Sequence, residues 1–158
     1  MKYFFYSILF LITFNLSAQK IYKKAHYKNG NVESEGFLKE NKKQGYWKFY
    51  YDNGTLKKQG HYLNDKPVKY WYFYNENGSK QSEGHYYNGS KNKWWVFYDD
   101  MGKINHKCQL KLNQKDGYCI VYEKGKIIMA SKYEAGKKIK EWTSLKAFKK
   151  ENNLLDLQ

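Results

Sequence analysis

The sequence contains no arginine, so all 29 of its strongly basic residues are lysines. A guanidinium group binds carboxylate and phosphate through two parallel hydrogen bonds, whereas the lysine ammonium is a hydrated point charge. The net charge of +14 therefore indicates diffuse attraction to anionic surfaces rather than shape-specific recognition of phosphates or base edges. We do not expect nucleic acid to be a partner.

The chain also lacks an apolar run long enough to span a bilayer. The longest run lies in residues 1–18, MKYFFYSILFLITFNLSA, where it follows Lys2 and ends in Ser-Ala before Gln19. It falls short of the ~20 apolar residues that a membrane-spanning helix needs, and it has the pattern of a secretory signal peptide. We predict cleavage before Gln19 and an exported protein that is periplasmic, outer-surface or secreted. The alternative is an uncleaved membrane anchor.

Residue patterns of common active sites and metal centres are missing as well. The sequence has no Ser/His/Asp ordering, nucleophile elbow or phosphate-binding loop. His61 and His85 lie 24 residues apart, and neither has a second ligand at metal spacing. Glu33 and Glu35 share a predicted strand face without the apolar surroundings that a catalytic acid needs. We therefore predict no enzyme activity, no cofactor and no metal site.

The dominant feature of the sequence is a 24-residue repeat. Four copies align in register, at 27–50 (YKNGNVESEGFLKENKKQGYWKFY), 51–74, 75–98 and 99–122, and a shortened fifth copy covers 123–142. Asn-Gly pairs predict hairpin turns with positive φ, and the runs between turns alternate aromatic or β-branched residues with polar ones, as half-buried strands do. We predict an all-β fold, an antiparallel meander of about ten strands from five β-hairpin repeats, occupying residues 19–142.

Residues 143–158 do not follow the repeat. Thr143 or Ser144 is a possible N-cap, and Leu145 and Phe148 would share one side of a short helix. We predict a C-terminal helix that covers one end of the sheet, as terminal caps of repeat proteins do. The leucine-rich end of the chain keeps open the alternative of a partner-binding tail.

Strand alternation divides the aromatic side chains between the two faces of the sheet. One face is the predicted core, which takes Trp47, Phe49, Trp71, Phe73, Trp95 and Phe97 together with Val32, Leu38, Leu56, Tyr62, Ile104 and Leu110. The opposite face is the candidate partner-binding surface, and its predicted residues are Tyr46, Lys48, Tyr50, Tyr70, Tyr72, Tyr74, Trp94, Tyr98, Tyr118 and Tyr122. Rings with polar tips beside cations suit protein interfaces and sugar stacking, but they can also tile a sheet without a further role.

A glycine precedes the tryptophan of each of the first three copies by eleven residues, as Gly60 precedes Trp71. A ring lying over a glycine on the neighbouring strand is a known way to fix strand register. In the fourth copy these two positions are Cys108 and Cys119, which could bond across strands in an oxidising compartment. We predict a disulfide between them; the alternative is two buried free thiols where the repeat decays.

The motif GYWKFYYDNG followed by LKKQGHYLNDK resembles the MORN-variant repeat over residues 27–142. Bacterial chains built from this repeat are often described as YwqK-like antitoxins. The resemblance implies a β-hairpin repeat sheet, no cofactor and a role in binding another protein, such as a toxin. MORN-type repeats elsewhere are similarly linked to protein scaffolding and to anionic lipid.

Three functional hypotheses remain. The favoured one is an exported, non-enzymatic scaffold or immunity-like module that binds a protein through its Tyr/Lys face. The second is an electrostatic binder of anionic envelope lipid or polysaccharide, whose binding would weaken as salt screens the lysines. The third is a polysaccharide reader built on stacked tyrosines.

Overall fold

The computed structural model describes residues 19–157, so the predicted signal peptide lies outside the described residues. Strands follow one another along the chain and pair antiparallel with their neighbours in a single eleven-stranded sheet. Their bounds are β1 (Ile21–His26), β2 (Val32–Lys39), β3 (Lys42–Tyr50), β4 (Leu56–Leu63), β5 (Lys66–Tyr74), β6 (Lys80–Tyr87), β7 (Ser90–Tyr98), β8 (Ile104–Lys111), β9 (Gln114–Glu123), β10 (Lys126–Glu134) and β11 (Lys137–Trp142). The predicted meander is confirmed, with β1 as an extra strand before the first repeat.

Two kinds of turn alternate along the meander. At one end of the strands, the Asn-Gly end, the glycine supplies the predicted positive φ, +84° at Gly54, while Asn53 Oδ1 accepts a hydrogen bond from the Thr55 amide at 2.8 Å. At the opposite end, both turn residues have positive φ, as at Asn64 (49°) and Asp65 (63°). That second pattern is typical of type I′ turns, whose twist matches that of the paired strands.

The predicted packing of tryptophan over glycine is confirmed. Trp47 lies opposite Gly36 on one neighbouring strand and Gly60 on the other. A Cβ atom placed on Gly60 would lie 2.3 Å from the Trp71 ring, so the ring occupies the space that any side chain would need. Trp47 and Trp71 are 4% and 2% exposed although the sheet is a single layer.

A β-bulge beside each glycine satisfies the indole N–H group. The register shifts between Gly36 and Phe37, and Trp47 Nε1 donates a hydrogen bond to the Phe37 carbonyl at 3.0 Å. The later tryptophans repeat this contact, since Trp71 donates to the His61 carbonyl and Trp95 to that of His85. The buried ring therefore leaves no polar atom unpaired.

In the fourth copy a disulfide takes the place of the glycine and the tryptophan. Cys108 and Cys119 lie directly opposite each other on β8 and β9 and are bonded to one another. Both are buried, in a cluster with Trp95 and Leu110.

Buried residues occur on both faces of the sheet rather than on the predicted core face alone. Beside the cluster of Trp95 and the cysteines, a second cluster on the opposite face contains Ile120, Ala130, Trp142 and Phe148. Ile104 is 42% exposed, because it begins β8 directly after a turn, so its assignment to the core was wrong.

Helix α1 (Leu145–Lys149) covers the second buried cluster, and a short 3₁₀ helix (Leu154–Leu157) follows it. Ser144 is the N-cap, and its hydroxyl accepts a hydrogen bond from the Ala147 amide at 3.1 Å. The predicted C-terminal helix is thus confirmed, although it lies on a face of the sheet rather than only against its last strand. Within residues 19–157, no helix is long and apolar enough to cross a membrane.

Candidate protein-binding face

The predicted partner-binding residues lie on the face of the sheet opposite the repeated tryptophans, which we call the tyrosine face. Two pairs of contacting rings lie at the centre of this face. Tyr46 opposes His61 with ring centroids 4.9 Å apart, and Tyr70 opposes His85 at 4.8 Å, both edge to face. Tyr72 lies beside Tyr70, with 5.0 Å between the ring centroids. Each ring is therefore held by a neighbour while part of it stays accessible.

A second row of tyrosines on this face is fixed by hydrogen bonds to the residue fifteen positions earlier. Tyr50 donates to Glu35 Oε1 at 2.7 Å, and Tyr98 donates to Glu83 Oε1 at 2.6 Å. In the copy between them, Gln59 Nε2 donates to the Tyr74 hydroxyl at 3.1 Å. These hydroxyls therefore hold the tyrosine side chains in fixed positions on the sheet.

The carboxylates in this row have a structural role as well. Hydrogen bonds from Tyr50 and Lys24 lower the pKa of Glu35 to about 2, and the ammonium of Lys24 lies 3.0 Å from its second oxygen. Burial and the bond to Glu35 raise the pKa of Tyr50. Glu35 is therefore ionised in ordinary buffers and is not suited to act as a general acid.

Lysines contribute cations close to half-buried rings of this face. The ammonium of Lys80 lies 5.3 Å from the Tyr98 ring centroid, and that of Lys107 lies 4.7 Å from the Trp94 ring. Lys48, a predicted site residue at the centre of the face, is exposed. Cations over ring faces are attracted by the ring quadrupole, which helps to hold both groups in place.

The C-terminal helix covers one side of the tyrosine face. Trp94, Tyr118 and Tyr122 pack against the buried cluster that contains Phe148. The Tyr118 hydroxyl donates to Asn152 Oδ1 at 3.0 Å, and the Tyr118 and Phe148 rings are 5.6 Å apart. The predicted site is thus divided into a part that packs against the cluster under α1 and an open part on β3 and β5, where Tyr46, Lys48, Tyr70 and Tyr72 lie.

Sequence reasoning did not single out two lysines beside the open part. Lys69 and Lys93 are exposed and have positive φ, 63° and 60°. They occupy a repeat position that is glycine in the first and fourth copies, and this difference between copies was the available signal. Burial, with a smaller contribution from Lys69, lowers the pKa of His61, and Lys93 acts in the same way on His85.

Among the residues that the structure describes, no three His, Cys, Asp or Glu side chains lie close enough together to hold a metal ion. His61 and His85 instead contact tyrosine rings, as described above.

No protein-family model matches the chain, and no curated protein is similar to it. Among solved structures, it is similar to a chain in the crystal structure of accessory secretory proteins 1, 2 and 3 from Streptococcus pneumoniae, with 12% sequence identity and a TM-score of 0.38. The match covers 64% of this chain and 19% of that chain, so this protein spans about a fifth of the other one. A likeness this low carries no argument about function.

Proposed function

We propose that this protein is an exported, non-enzymatic repeat scaffold whose open tyrosine face docks another protein. The observation that carries the proposal is a set of part-exposed rings, Tyr46, Tyr70 and Tyr72, which neighbouring side chains already hold in place. Rings that are ordered before binding lose little conformational entropy when a partner arrives. Tyrosine is also enriched at protein interfaces because it combines an apolar ring with a polar tip.

The chain's own helix supports a docking role for this face. At β9 to β11 the face is covered by α1, which inserts Phe148 as a fully buried anchor beside Tyr118. Tyr118 occupies the repeat position of Tyr46 and Tyr70. We expect a partner to contact these earlier copies as α1 contacts the last ones, by placing an apolar side chain among the rings.

The proposed location of the protein is outside the cytoplasm. The predicted signal peptide would export the chain, and a bond between Cys108 and Cys119 fits an oxidising compartment. A MORN-variant or YwqK-like role would make the partner a protein, and export would place that partner outside the cytoplasm.

A second candidate function is electrostatic binding to anionic envelope lipid or polysaccharide. Lysines are concentrated where the strands meet the type I′ turns, and the lysines there include Lys42, Lys43, Lys66, Lys69, Lys91, Lys93, Lys111, Lys115, Lys137 and Lys138. Repeats place these groups in a row along one end of the sheet. Binding that depends on such a row falls steeply as salt increases.

Affinity capture from the native organism, with residues 19–158 as bait and washes at low and high salt, separates the two functions. We expect one protein to survive the high-salt wash and to be lost when Tyr46, Tyr70 and Tyr72 are replaced together by serine. Tyr87→Ser is the matched control, because Tyr87 is 70% exposed and lies outside the predicted site. Equal capture by the triple variant would contradict the proposal, and lipids or glycans that wash away at high salt would favour the second function.

A further inference from the structure

A bulge position repeats at residues 45, 69, 93 and 117, just before the central rings of β3, β5, β7 and β9. Its φ is positive in every copy, 80°, 63°, 60° and 105° in chain order. Glycine, which adopts this conformation without a steric penalty, fills the first and last of these positions. Lys69 and Lys93 fill the middle two, although side chains with a Cβ are strained there. The fold alone does not explain the lysines, and strain of this kind often marks a functional position.

A second repeat position changes together with the first. The residue that occupies it is Phe37, His61, His85 and Gln109 in the four copies, so histidine occurs in the same two copies as the strained lysine. His61 pairs with Val68, immediately before Lys69, and His85 pairs with Asn92, immediately before Lys93. The structure thus repeats one arrangement of histidine and lysine on neighbouring strands.

Each arrangement also includes a tyrosine. Tyr46 contacts the His61 ring from the strand on the other side, and Tyr70 contacts His85 in the same way. A neutral imidazole has one N–H donor and an ammonium has three, so a histidine and a lysine together can donate several hydrogen bonds to one anion. Lys69 and Lys93 are exposed, and the positive charge of each lies close enough to the neighbouring imidazole, His61 or His85, to contribute to lowering its pKa.

We infer that Tyr46, His61 and Lys69 form one site for a carboxylate and that an equivalent site one repeat later consists of Tyr70, His85 and Lys93. The two sites together bind an acidic segment of the partner protein. This inference rests on the proposed docking function. One repeat is two strands wide, which separates the sites by about 10 Å. In a segment with the polyproline II conformation, which has three residues per turn, two acidic residues three positions apart lie on the same side and are separated by about 9 Å.

The surroundings favour a peptide with apolar residues between its two acidic ones. Tyr72 lies beside Tyr70 of the second site, with 5.0 Å between the ring centroids, and both rings offer apolar surface. Glu83 is the acidic residue of this region, but its carboxylate is already bound by Lys80 at 3.0 Å and by the Tyr98 hydroxyl. The charge left for a ligand to neutralise is therefore positive.

The test measures binding of a peptide containing Glu-Leu-Phe-Glu, flanked by glycines, to residues 19–158 by isothermal titration calorimetry. We expect Lys69→Gly and Lys93→Gly each to weaken binding by about tenfold, since each removes a hydrogen bond to a charged group. Neither variant should lower the melting temperature, because glycine already fills this position at Gly45 and Gly117. If the two lysines had only a structural role, their replacement would not weaken peptide binding while leaving the melting temperature unchanged.

Lys124→Gly is the matched control. Lys124 also has positive φ (49°), but it lies in a turn at the Asn-Gly end of the strands. The same substitution there removes the same charge and the same strain, and we expect peptide binding to be unchanged. An equal loss in Lys124→Gly would show that only net charge matters and would overturn the inference.

Three other outcomes would also contradict the carboxylate sites. The first is unchanged binding in the Lys69→Gly, Lys93→Gly double variant, and the second is equal binding of a peptide in which the two glutamates are adjacent. The third is tighter binding of an oligogalacturonate, which would make the ligand an acidic polysaccharide. If the triple serine variant loses the captured protein while the double glycine variant keeps it, the docking function stands and this inference alone fails.

Discussion

At the scale of single residues, the contact between Trp71 and Gly60 decides how much each repeat can bury. The Trp71 ring occupies the space above Gly60 and is 2% exposed. We expect Trp71→Ala to lower the free energy of unfolding by about 3–5 kcal/mol, as for other large-to-small changes at buried positions. Urea titration followed by circular dichroism measures this change, and an effect as small as that of the exposed control Tyr87→Ala would contradict it.

Gly60→Ala tests the same contact from the other side. The added methyl group would lie 2.3 Å from the ring, so we expect it to cost about 1–3 kcal/mol through overpacking. In a Trp71→Ala background that space is empty, and the cost of Gly60→Ala should largely disappear. Strictly additive effects in the double variant would show that the ring and the glycine are not coupled.

Glu35 gives the fold a pH dependence of known sign. Its pKa in the folded state is about 2, below the ordinary value of 4.5, because Tyr50 and Lys24 donate hydrogen bonds to the carboxylate. Its stabilising contribution is therefore complete above pH 4.5 and is lost as the pH falls from there through 2. Urea midpoints measured between pH 6 and 2 should fall less steeply in Glu35→Gln than in wild type.

Glu33→Gln, an exposed position on the same strand, is the control for this pH series. It should retain the wild-type slope, and identical slopes for wild type and Glu35→Gln would contradict the assignment. The sequence predicted that Glu33 and Glu35 share a strand face but not the bonds of Glu35, because its contact with the Tyr50 hydroxyl depends on the register between β2 and β3.

At the scale of elements, helix α1 turns part of the tyrosine face into a second core. Phe148 is 0% exposed, and Glu151, just after the helix, forms an ion pair with Lys140 and accepts a hydrogen bond from Trp142 Nε1. We expect Phe148→Ala to lower the free energy of unfolding by about 3–5 kcal/mol. Thermal unfolding measures it against the exposed control Lys146→Ala, and equal melting temperatures would show that α1 does not hold the end of the sheet.

The sequence predicted most elements correctly because each repeat carries its own turn and alternation signals. Strand β1 was missed, since IYKKAH lies before the first copy and all six of its residues are exposed. The face on which α1 docks was missed too, although a signal existed. The repeat position of Lys48 becomes Tyr72, Val96 and finally the buried Ile120, so this face grows more apolar toward the C-terminus.

At the scale of the whole molecule, stability is the sum of contacts between neighbouring strands in one layer. The disulfide joins β8 to β9, next to the last tryptophan of the row. We expect replacement of both cysteines by serine to lower the free energy of unfolding by about 2–3 kcal/mol, because the bond restricts the unfolded chain. Urea unfolding with and without a reductant measures it, and a reductant should not affect the double variant.

The solvent-accessible part of the candidate site also depends on the whole molecule. Alternation alone predicted that the ten site residues share a face, since side chains in a strand point alternately to either side. It could not predict that Tyr118 and Tyr122 would pack under α1, because that contact joins segments far apart in the chain. The positive φ of Lys69 and Lys93 could not be predicted either, because a bulge is defined by the pairing between strands.

The central claim, that the open tyrosine face docks a protein, is tested most directly by a footprint of the complex. Tyrosine iodination, read by peptide mass spectrometry, is compared between the free chain and the chain bound to the protein that survives the high-salt wash. We predict protection of Tyr46, Tyr70 and Tyr72, with unchanged labelling of the exposed Tyr87. Unchanged labelling of the three site tyrosines, with protection of Tyr87 instead, would contradict the claim.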